Sequence, residues 1–547
     1  MLSFSRLQYG SDRIVQRLFS SSTHQRAPLD DHVTAFRTMV DDANRHVLIA
    51  KSENTDTDAP DVNLDRYTVD WTKHWGFSST TTLQEEMDAP RENVVILLPS
   101  TTTQVSQIVT YCYDNDISIV PQGGNTGLVG GGVPLVKSNH PQVILSTSRL
   151  NRIHSLSQDD GILHCQAGCI LQDLQDYATK HNCLVPIDLG AKGTCQIGGN
   201  LSTNAGGIYY SKYGSLAANV LGLTCVLSDG SIVEVGSTVV RKDNTGYKIQ
   251  QLMIGSEGTL GIITDVALSC PALPACKQLA VVACQSFPHV LQVVRMAKRS
   301  LGEILAAAEW MDPTIVKVVS NYVNGSQPNS SNQSTSLIFG DNVDTQDCHW
   351  LLIETHGSNE VHDAEKLHDF LEAAMSTTDG DESIVVDGVV AQDFSQMETF
   401  WNYRESCNPS VLQSGYTYKY DLSLSVSEFD DFVRAMKTEN TALSDMASSG
   451  YVVQTNWGHV LDGNIHFNLT TPGVFEKDDD VLACLEPYIF DEVTKRRGSI
   501  SAEHGLGQEK FKYLPQIHSE ATLSLMRDMK RLMDPKGILN PSKFLPP

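Results

Sequence analysis

The chain changes texture twice along its length. Val94-Val95-Ile96-Leu97-Leu98 is an unbroken apolar run ending at Pro99, the pattern of a buried strand. A helical period follows from Thr102 to Asn115, and Ile117 to Val120 forms a second strand closed by Pro121. From there to about residue 270, β-rich runs alternate with glycine clusters, with a helix predicted over 170–181. Beyond about residue 277, strands over 279–284 and 349–355 alternate with amphipathic helices over 287–301, 361–375 and 426–440. A last helix over 519–533 runs into the turn Asp534-Pro535-Lys536-Gly537. The lead-in stretches 31–50 and 62–76 read as helical or irregular, and the polar run 324–335 as a solvated loop.

Composition narrows the classes. A chain of 547 residues with 41% hydrophobic and 19% charged residues can bury a large core. Its formal net charge of −25 argues against nucleic acid or an anionic membrane surface as partner, since both need a basic face. No apolar run reaches the ~18 residues of a membrane span. The 12 cysteines show no C-x-x-C and no dense framework, so they read as buried thiols in a reducing compartment. Residues 1–27 differ from the rest. Arg6, Arg13, Arg17 and Arg26 stand against the single acid Asp12, and Leu7, Ile14 and Leu18 recur at helical spacing. That is the signature of a mitochondrial transit peptide.

Three glycine clusters fall within 150 residues. The first is Pro121-Gln122-Gly123-Gly124-Asn125-Thr126-Gly127-Leu128. The second joins Gly190 and Thr194 to Gly198-Gly199-Asn200 and Asn204-Ala205-Gly206. The third is Glu257-Gly258 running to Ile263. Glycine lets backbone amides approach a ligand, and successive N–H groups make an anion cradle suited to a pyrophosphate. None fits G-x-G-x-x-G or G-x-x-x-x-G-K-[ST], so a nicotinamide Rossmann site and a P-loop are disfavoured.

Gly458-His459-Val460-Leu461-Asp462-Gly463-Asn464-Ile465-His466-Phe467-Asn468 predicts a hairpin with Asp462-Gly463 as its two-residue loop. In that register His459 faces His466, and Asn468 shares their face. Two opposed imidazoles can converge on one metal. On spacing alone they are as readily a solvated cross-strand pair. His362 and His368, six residues apart on a predicted helix, point to different sides and read as solvated.

Four motifs of the first half, PQGGNTGLVGG, QIGGN with TNAGG, RKDNTGY and IGSEGTLGII, resemble the FAD domain of the vanillyl-alcohol oxidase-type flavoproteins. YKYDLSL, GHVLDGNIHFN, SAEHG and DPKGILNP extend the likeness toward the members that oxidise D-2-hydroxy acids. The resemblance runs from about residue 90 to the C-terminus. It implies an α+β fold with a two-subdomain FAD-binding domain (93–272) after a lead-in (28–92). An antiparallel-sheet substrate or cap domain (273–510) and a C-terminal helical segment returning to the flavin (511–547) would follow.

By the same resemblance the three glycine clusters, Glu257 and Asn540 hold FAD. The tether is noncovalent, because residues 121–132 contain no His. His459, His466 and Glu503 hold Zn2+ or another divalent metal. His504 is the acid–base group, and Arg404, Asn408, Lys419 and Asn468 bind a 2-hydroxy dicarboxylate. Without the resemblance Arg404 and Lys419 would each read as surface charge. Relatives carry a Thr where this chain has Asn408-Pro409, which leaves the helix register there open. The implied reaction is oxidation of D-2-hydroxyglutarate to 2-oxoglutarate in the mitochondrial matrix, D-lactate or another D-2-hydroxy acid being the alternative. Electrons would pass to an acceptor such as electron-transfer flavoprotein. A homodimer is left open.

Overall fold

A computed structural model describes residues 29–50, 65–68, 94–135, 141–325, 338–339, 345–380 and 382–546. The expected leader over 1–27 and most of the polar run 324–335 lie outside the described residues.

Three sheets organise the chain. The first is mixed: β1 (Val47–Ala50), β2 (Val94–Leu97), β3 (Ser118–Gln122) and β4 (Gln142–Ser146) stand in the order β1-β2-β4-β3. β2, β4 and β3 are parallel, and β1 joins antiparallel. Residues 47–50, expected to be helical or irregular, are therefore a strand. Val47-Leu48-Ile49-Ala50 is short and apolar, and pairing with β2 decides its state. The helix Thr102–Asp114 starts at Thr101, whose side chain accepts from Gln104 N, a cap that contributes about 1 kcal/mol. It buries Val105, Ile108, Val109 and Cys112 against this sheet.

The second sheet is antiparallel throughout, with β5 (Ile153–Ser157), β6 (Ile162–Gln166), β7 (Val220–Val226), β8 (Ile232–Gly236) and β9 (Ile262–Ser269) in the order β5-β6-β9-β7-β8. Between β6 and β7 run the helices Leu171–Lys180 and Ile197–Thr203.

The third sheet is larger. β10 (Cys276–Cys284), β11 (Leu305–Met311), β12 (His349–Gly357), β15 (Asp387–Val390), β16 (Gly415–Ser423), β17 (Val453–His459) and β18 (Asn464–Pro472) stand in the order β15-β10-β12-β11-β17-β18-β16. The two-residue strands β13 (Thr378–Asp379) and β14 (Glu382–Ser383) pair only with each other. Side chains alternate across this sheet as period two demands. Ala280, Val282 and Cys284 meet the helices Phe287–Ser300 and Glu360–Ser376, whereas Leu279, Val281 and Ala283 meet Pro313–Gly325 and the pair Phe394–Glu405 and Cys407–Ser414. The second face carries the site.

The end of the chain returns to the first sheet. After the helix Glu520–Met533, Ile538 O accepts from Ile119 N at 2.8 Å and Asn540 N donates to Ile119 O at 2.8 Å. All cysteines are free, and all but Cys276 and Cys484 are buried. No helix among the described residues is long and apolar enough to cross a membrane.

Candidate functional site

One cavity of about 600 Å³ lies between the glycine loops and the third sheet, within the size range of ligand sites. The loop after β3 supplies one side of its wall, and segments 188–208 and 257–263 continue it. These loops approach each other too closely for side chains. A Cβ on Gly124 would sit 2.2 Å from Thr194 O. Gly258, at φ +72°, would meet the Pro121 ring at 3.0 Å.

The opposite wall is the sheet face. Register alone collects its side chains. Glu309 on β11 pairs with His459 on β17, Trp457 with His466 on β18, His466 with Asp421 on β16, and Asn468 with Lys419. Directly paired residues share a face, and so do residues two apart. Glu309, His459, Trp457, His466, Asn468, Asp421 and Lys419 therefore stand on one surface. The hairpin differs from the two-residue turn expected. His459 pairs with Asn464, not with His466. Residues 460–463 form the loop, because Val460 N donates to Ala308 O on β11 and Gly463 N donates back to His459 O. The displacement is by two residues, which preserves the face. The imidazole centroids remain 5.3 Å apart.

Glu309, fully buried, joins two expected site residues. Its Oε1 accepts from His459 Nδ1 at 2.5 Å and its Oε2 is 2.8 Å from the Arg404 guanidinium. Arg404 sits in the last turn of Phe394–Glu405. The register left open there resolves as a break at Ser406. A second helix starts at Cys407, and Pro409 falls in its first turn, where a missing N–H costs nothing. Asn408 thereby faces the cavity, and its Oδ1 accepts from Lys419 Nζ.

Asp421 organises the segment Ala502-Glu503-His504. Its Oδ2 accepts from the backbone N–H groups of Ala502, Glu503 and His504 at 3.1, 2.6 and 3.1 Å. Its Oδ1 accepts from Asn464 Nδ2 at 2.7 Å and stands 3.6 Å from His466 Nδ1. Glu503 Oε1 accepts from Gly207 N at 2.5 Å, tying this segment to the second glycine cluster. Leu506 N and Gly507 N donate to the two oxygens of Glu257 at 2.7 and 2.8 Å.

Burial sets the electrostatics. It lowers His504 to about 4 and Lys419 well below its ordinary value, and it raises Glu503 to about 7. It also lowers His466, with the charges of His459 and Arg404 acting in the same direction. At His459 burial is the largest single influence and works downward, but the charge and hydrogen bond of Glu309, joined by the charges of Glu503 and Asp462, together outweigh it and carry the group to about 9. At Asp421 burial works upward, and the charges of His504, His466 and Lys510 overcome it and hold the carboxyl below its usual range.

Most expected residues line this cavity. They are Pro121, Gly123, Gly124, Asn125, Thr126, Gly127, Leu128, Gly190, Gly198, Gly199, Asn200, Ala205, Glu257, Gly258 and Ile263 on one side, and Arg404, Asn408, Lys419, His459, His466, Asn468, Glu503 and His504 on the other. Thr194, Asn204, Gly206 and Asn540 do not. Thr194 packs by its carbonyl under Gly124. Asn204 caps the helix Ile197–Thr203 in the left-handed region, its side chain accepting from Ala217 N. Gly206 lies against the Glu503 carboxylate. Asn540 holds two loops together, donating to Gly131 O and Glu257 O at 3.0 and 2.8 Å. Glu257 lines the cavity, and both its carboxylate oxygens are engaged by Leu506 and Gly507. Sequence reasoning missed Glu309, Asp421, Trp401 and Trp457; the YKYDLSL motif contained Asp421 without marking it.

The residues suit FAD. The glycine segments line the space with backbone, with no side chain between them and a ligand, and Asn200 Oδ1 is buried there without a hydrogen-bond partner among the described residues. The donor set on the sheet suits a borderline divalent metal in kind: two imidazoles, one carboxylate, and carboxylates behind them at Glu309 and Asp421. With Glu503 turned to Gly207, however, the ligand atoms of His459, His466 and Glu503 do not all lie within 4.8 Å of one another.

Residues 94–236 match the FAD binding domain, and residues 273–544 match the C-terminal domain of FAD linked oxidases. The chain is 42% identical over 487 residues to a mitochondrial D-2-hydroxyglutarate dehydrogenase of Danio rerio, covering 89% of this chain and 82% of that one. It is 35% identical over 498 residues to a putative mitochondrial D-lactate dehydrogenase of Schizosaccharomyces pombe, covering 90% and 87%. Among solved structures, a 4-ethylphenol oxidase from Gulosibacter chungangensis superposes with a TM-score of 0.66 at 13% identity, covering 94% and 97%. That likeness shows the fold, the α+β vanillyl-alcohol oxidase type implied by the motifs. Two domain matches in one order and this degree of identity along nearly the whole chain leave no other placement: it is an FAD-linked oxidoreductase and belongs to the family that contains the mitochondrial D-2-hydroxyglutarate dehydrogenases.

Proposed function

We propose that the protein is an FAD- and divalent-metal-dependent dehydrogenase that oxidises D-2-hydroxyglutarate to 2-oxoglutarate. The observation that carries the reading is the meeting, in one cavity, of a glycine cradle with a sheet face carrying Lys419 and Asn468, flanked by Arg404 from a helix end and His504 from the segment after Ile500. FAD, held noncovalently by the glycine clusters, would supply a hydride acceptor for C2, and a divalent metal held by His459, His466 and Glu503 would supply Lewis acidity for the C2 hydroxyl.

The chain's own residues do the rest. Arg404 takes one carboxylate as a planar fork, and Lys419, with Asn408 and Asn468 beside it, neutralises the other anionic end. His504 turns Nδ1 toward Asp421, 4.0 Å away, and takes the C2 hydroxyl proton on Nε2. Glu309 holds Arg404 and His459 at a fixed separation, so part of the rate comes from orientation. Trp401 and Trp457 line the walls and exclude water. The electrons leave to a separate acceptor such as electron-transfer flavoprotein, in the mitochondrial matrix. A D-lactate substrate is the second reading, favoured by the identity to the Schizosaccharomyces pombe protein and by the occupation of Lys419 by Asn408.

An anaerobic flavin-bleaching screen over D- and L-2-hydroxy acids tests this. D-2-hydroxyglutarate should bleach fastest and L-acids not at all. Faster bleaching by D-lactate would transfer the assignment to the second reading.

A further inference from the structure

The second sheet carries a group of ligating side chains that takes no part in the cavity. His154 on β5, His164 on β6 and Asp265 on β9 each offer an atom within 4.8 Å of the other two, alone in this respect among groups of His, Cys, Asp and Glu in the described residues. His154 Nε2 lies 2.8 Å from Asp265 Oδ1, and the imidazole centroids are 4.5 Å apart at 36°.

The ladder explains how they meet. His164 pairs with Ala267 and so shares a face with Asp265, two residues away. Regular pairing would send His154 to the other face, because Ser155 is the residue opposite His164. The register shifts between Ile153 and Ser155, leaving His154 as the extra residue of a bulge. A second shift, between Thr224 and Cys225, falls on the stretch of β9 that holds Asp265. Bulges re-aim side chains and concentrate beside functional sites. The other oxygen of Asp265 accepts from Thr102 Oγ1 at 2.9 Å, the kind of outer contact that orients a ligating carboxylate.

We propose that His154, His164 and Asp265 form a second divalent-metal site, separate from the cavity and taking zinc or a similar borderline ion. Two imidazoles and one carboxylate select such an ion over Ca2+ and Mg2+, which prefer oxygen alone. The partly exposed position leaves the fourth place to water. The ion joins three strands, one of which, β9, begins at the cavity-lining residues Ile262 and Ile263. Occupancy therefore stiffens the flavin-binding half without entering the reaction.

The test uses the flavin-loaded full chain, stripped with a chelator, reloaded with excess Zn2+, desalted and analysed for zinc. The parent is compared with a His154→Ala/His164→Ala variant. The parent should retain one equivalent more zinc per chain, with equal kcat for the substrate. The difference is read, not the total, so a failure of His459, His466 and Glu503 to bind metal lowers both proteins alike. Equal zinc content overturns the proposal. Asp265→Asn keeps size and the Thr102 contact, covers the case in which the double variant does not fold, and should bind zinc at this site at least tenfold more weakly. Unchanged affinity there overturns the proposal equally.

Discussion

Replacing Glu309 by Gln keeps its shape and removes one charge from the point where substrate recognition meets the hairpin. The native carboxylate is 0% exposed and contacts His459 Nδ1 at 2.5 Å and Arg404 at 2.8 Å. Hydrogen bonds to charged groups contribute about 1.5–3 kcal/mol each. Glutamine can accept from one of these partners, but its amide nitrogen then faces the other donor. One contact is lost, and a guanidinium only 9% exposed is left without its counter-charge. A net loss of about 3 kcal/mol corresponds to about a 10²-fold fall at 1.4 kcal/mol per decade. Anaerobic stopped-flow reduction of the flavin by D-2-hydroxyglutarate measures it. We expect kcat/KM to fall by that factor, with flavin content and circular dichroism retained. Values within threefold of the parent would refute the assignment of Glu309 as the positioning residue for Arg404 and His459.

Further outcomes follow from the same geometry. His504→Ala should slow flavin reduction by about 10²–10⁴-fold while the protein stays yellow; unchanged single-turnover reduction removes His504 from the proton transfer. Arg404→Ala should raise KM for a dicarboxylate far more than for D-lactate, and equal effects would show that it reads no second carboxylate. Chelation should abolish turnover and Zn2+ restore it; full activity in a sample shown by elemental analysis to lack metal contradicts the Lewis-acid role. His349, half-buried and accepting from Trp310 Nε1 at 3.0 Å, is lowered by desolvation to about 4. The unfolded chain, with an ordinary His near 6.5, binds this proton first. Stability is therefore full above pH 6.5 and falls toward pH 4, by an amount of the order of 3 kcal/mol. His349→Gln should flatten the slope of Tm between these pH values; an unchanged slope would exclude His349 as its source.

Local chemistry was legible in the sequence, and long-range chemistry was not. The runs Val94–Leu98 and Ile117–Val120 and the helix from Thr102 announced themselves through their period, and they form as the strand Val94–Leu97, the strand Ser118–Gln122, which continues through Pro121 instead of stopping there, and the helix Thr102–Asp114. The hairpin turn was misread by two residues because Val460 is engaged by β11, a strand about 150 positions earlier. Strand alternation forgave the error, since a shift of two keeps His459, His466 and Asn468 on one face. Glu309 and Asp421 carried no motif of their own. Each is an ordinary acidic residue in an apolar strand until β11, β17, β18 and β16 lie side by side. Asn540 and Glu257 had the converse fate. Both stand next to the flavin loops, but the fold uses their polar groups to hold loop to loop.

In the proposed reaction a D-2-hydroxy acid, bound between the glycine cradle and the sheet face, gives up its C2 hydrogen as a hydride to the flavin. Anaerobic single-turnover reduction with C2-deuterated D-2-hydroxyglutarate tests it most directly. We expect complete bleaching, slowed severalfold by deuterium and by about 10²–10⁴-fold in His504→Ala. Bleaching at the same rate with both isotopologues, or no bleaching at all, would contradict it.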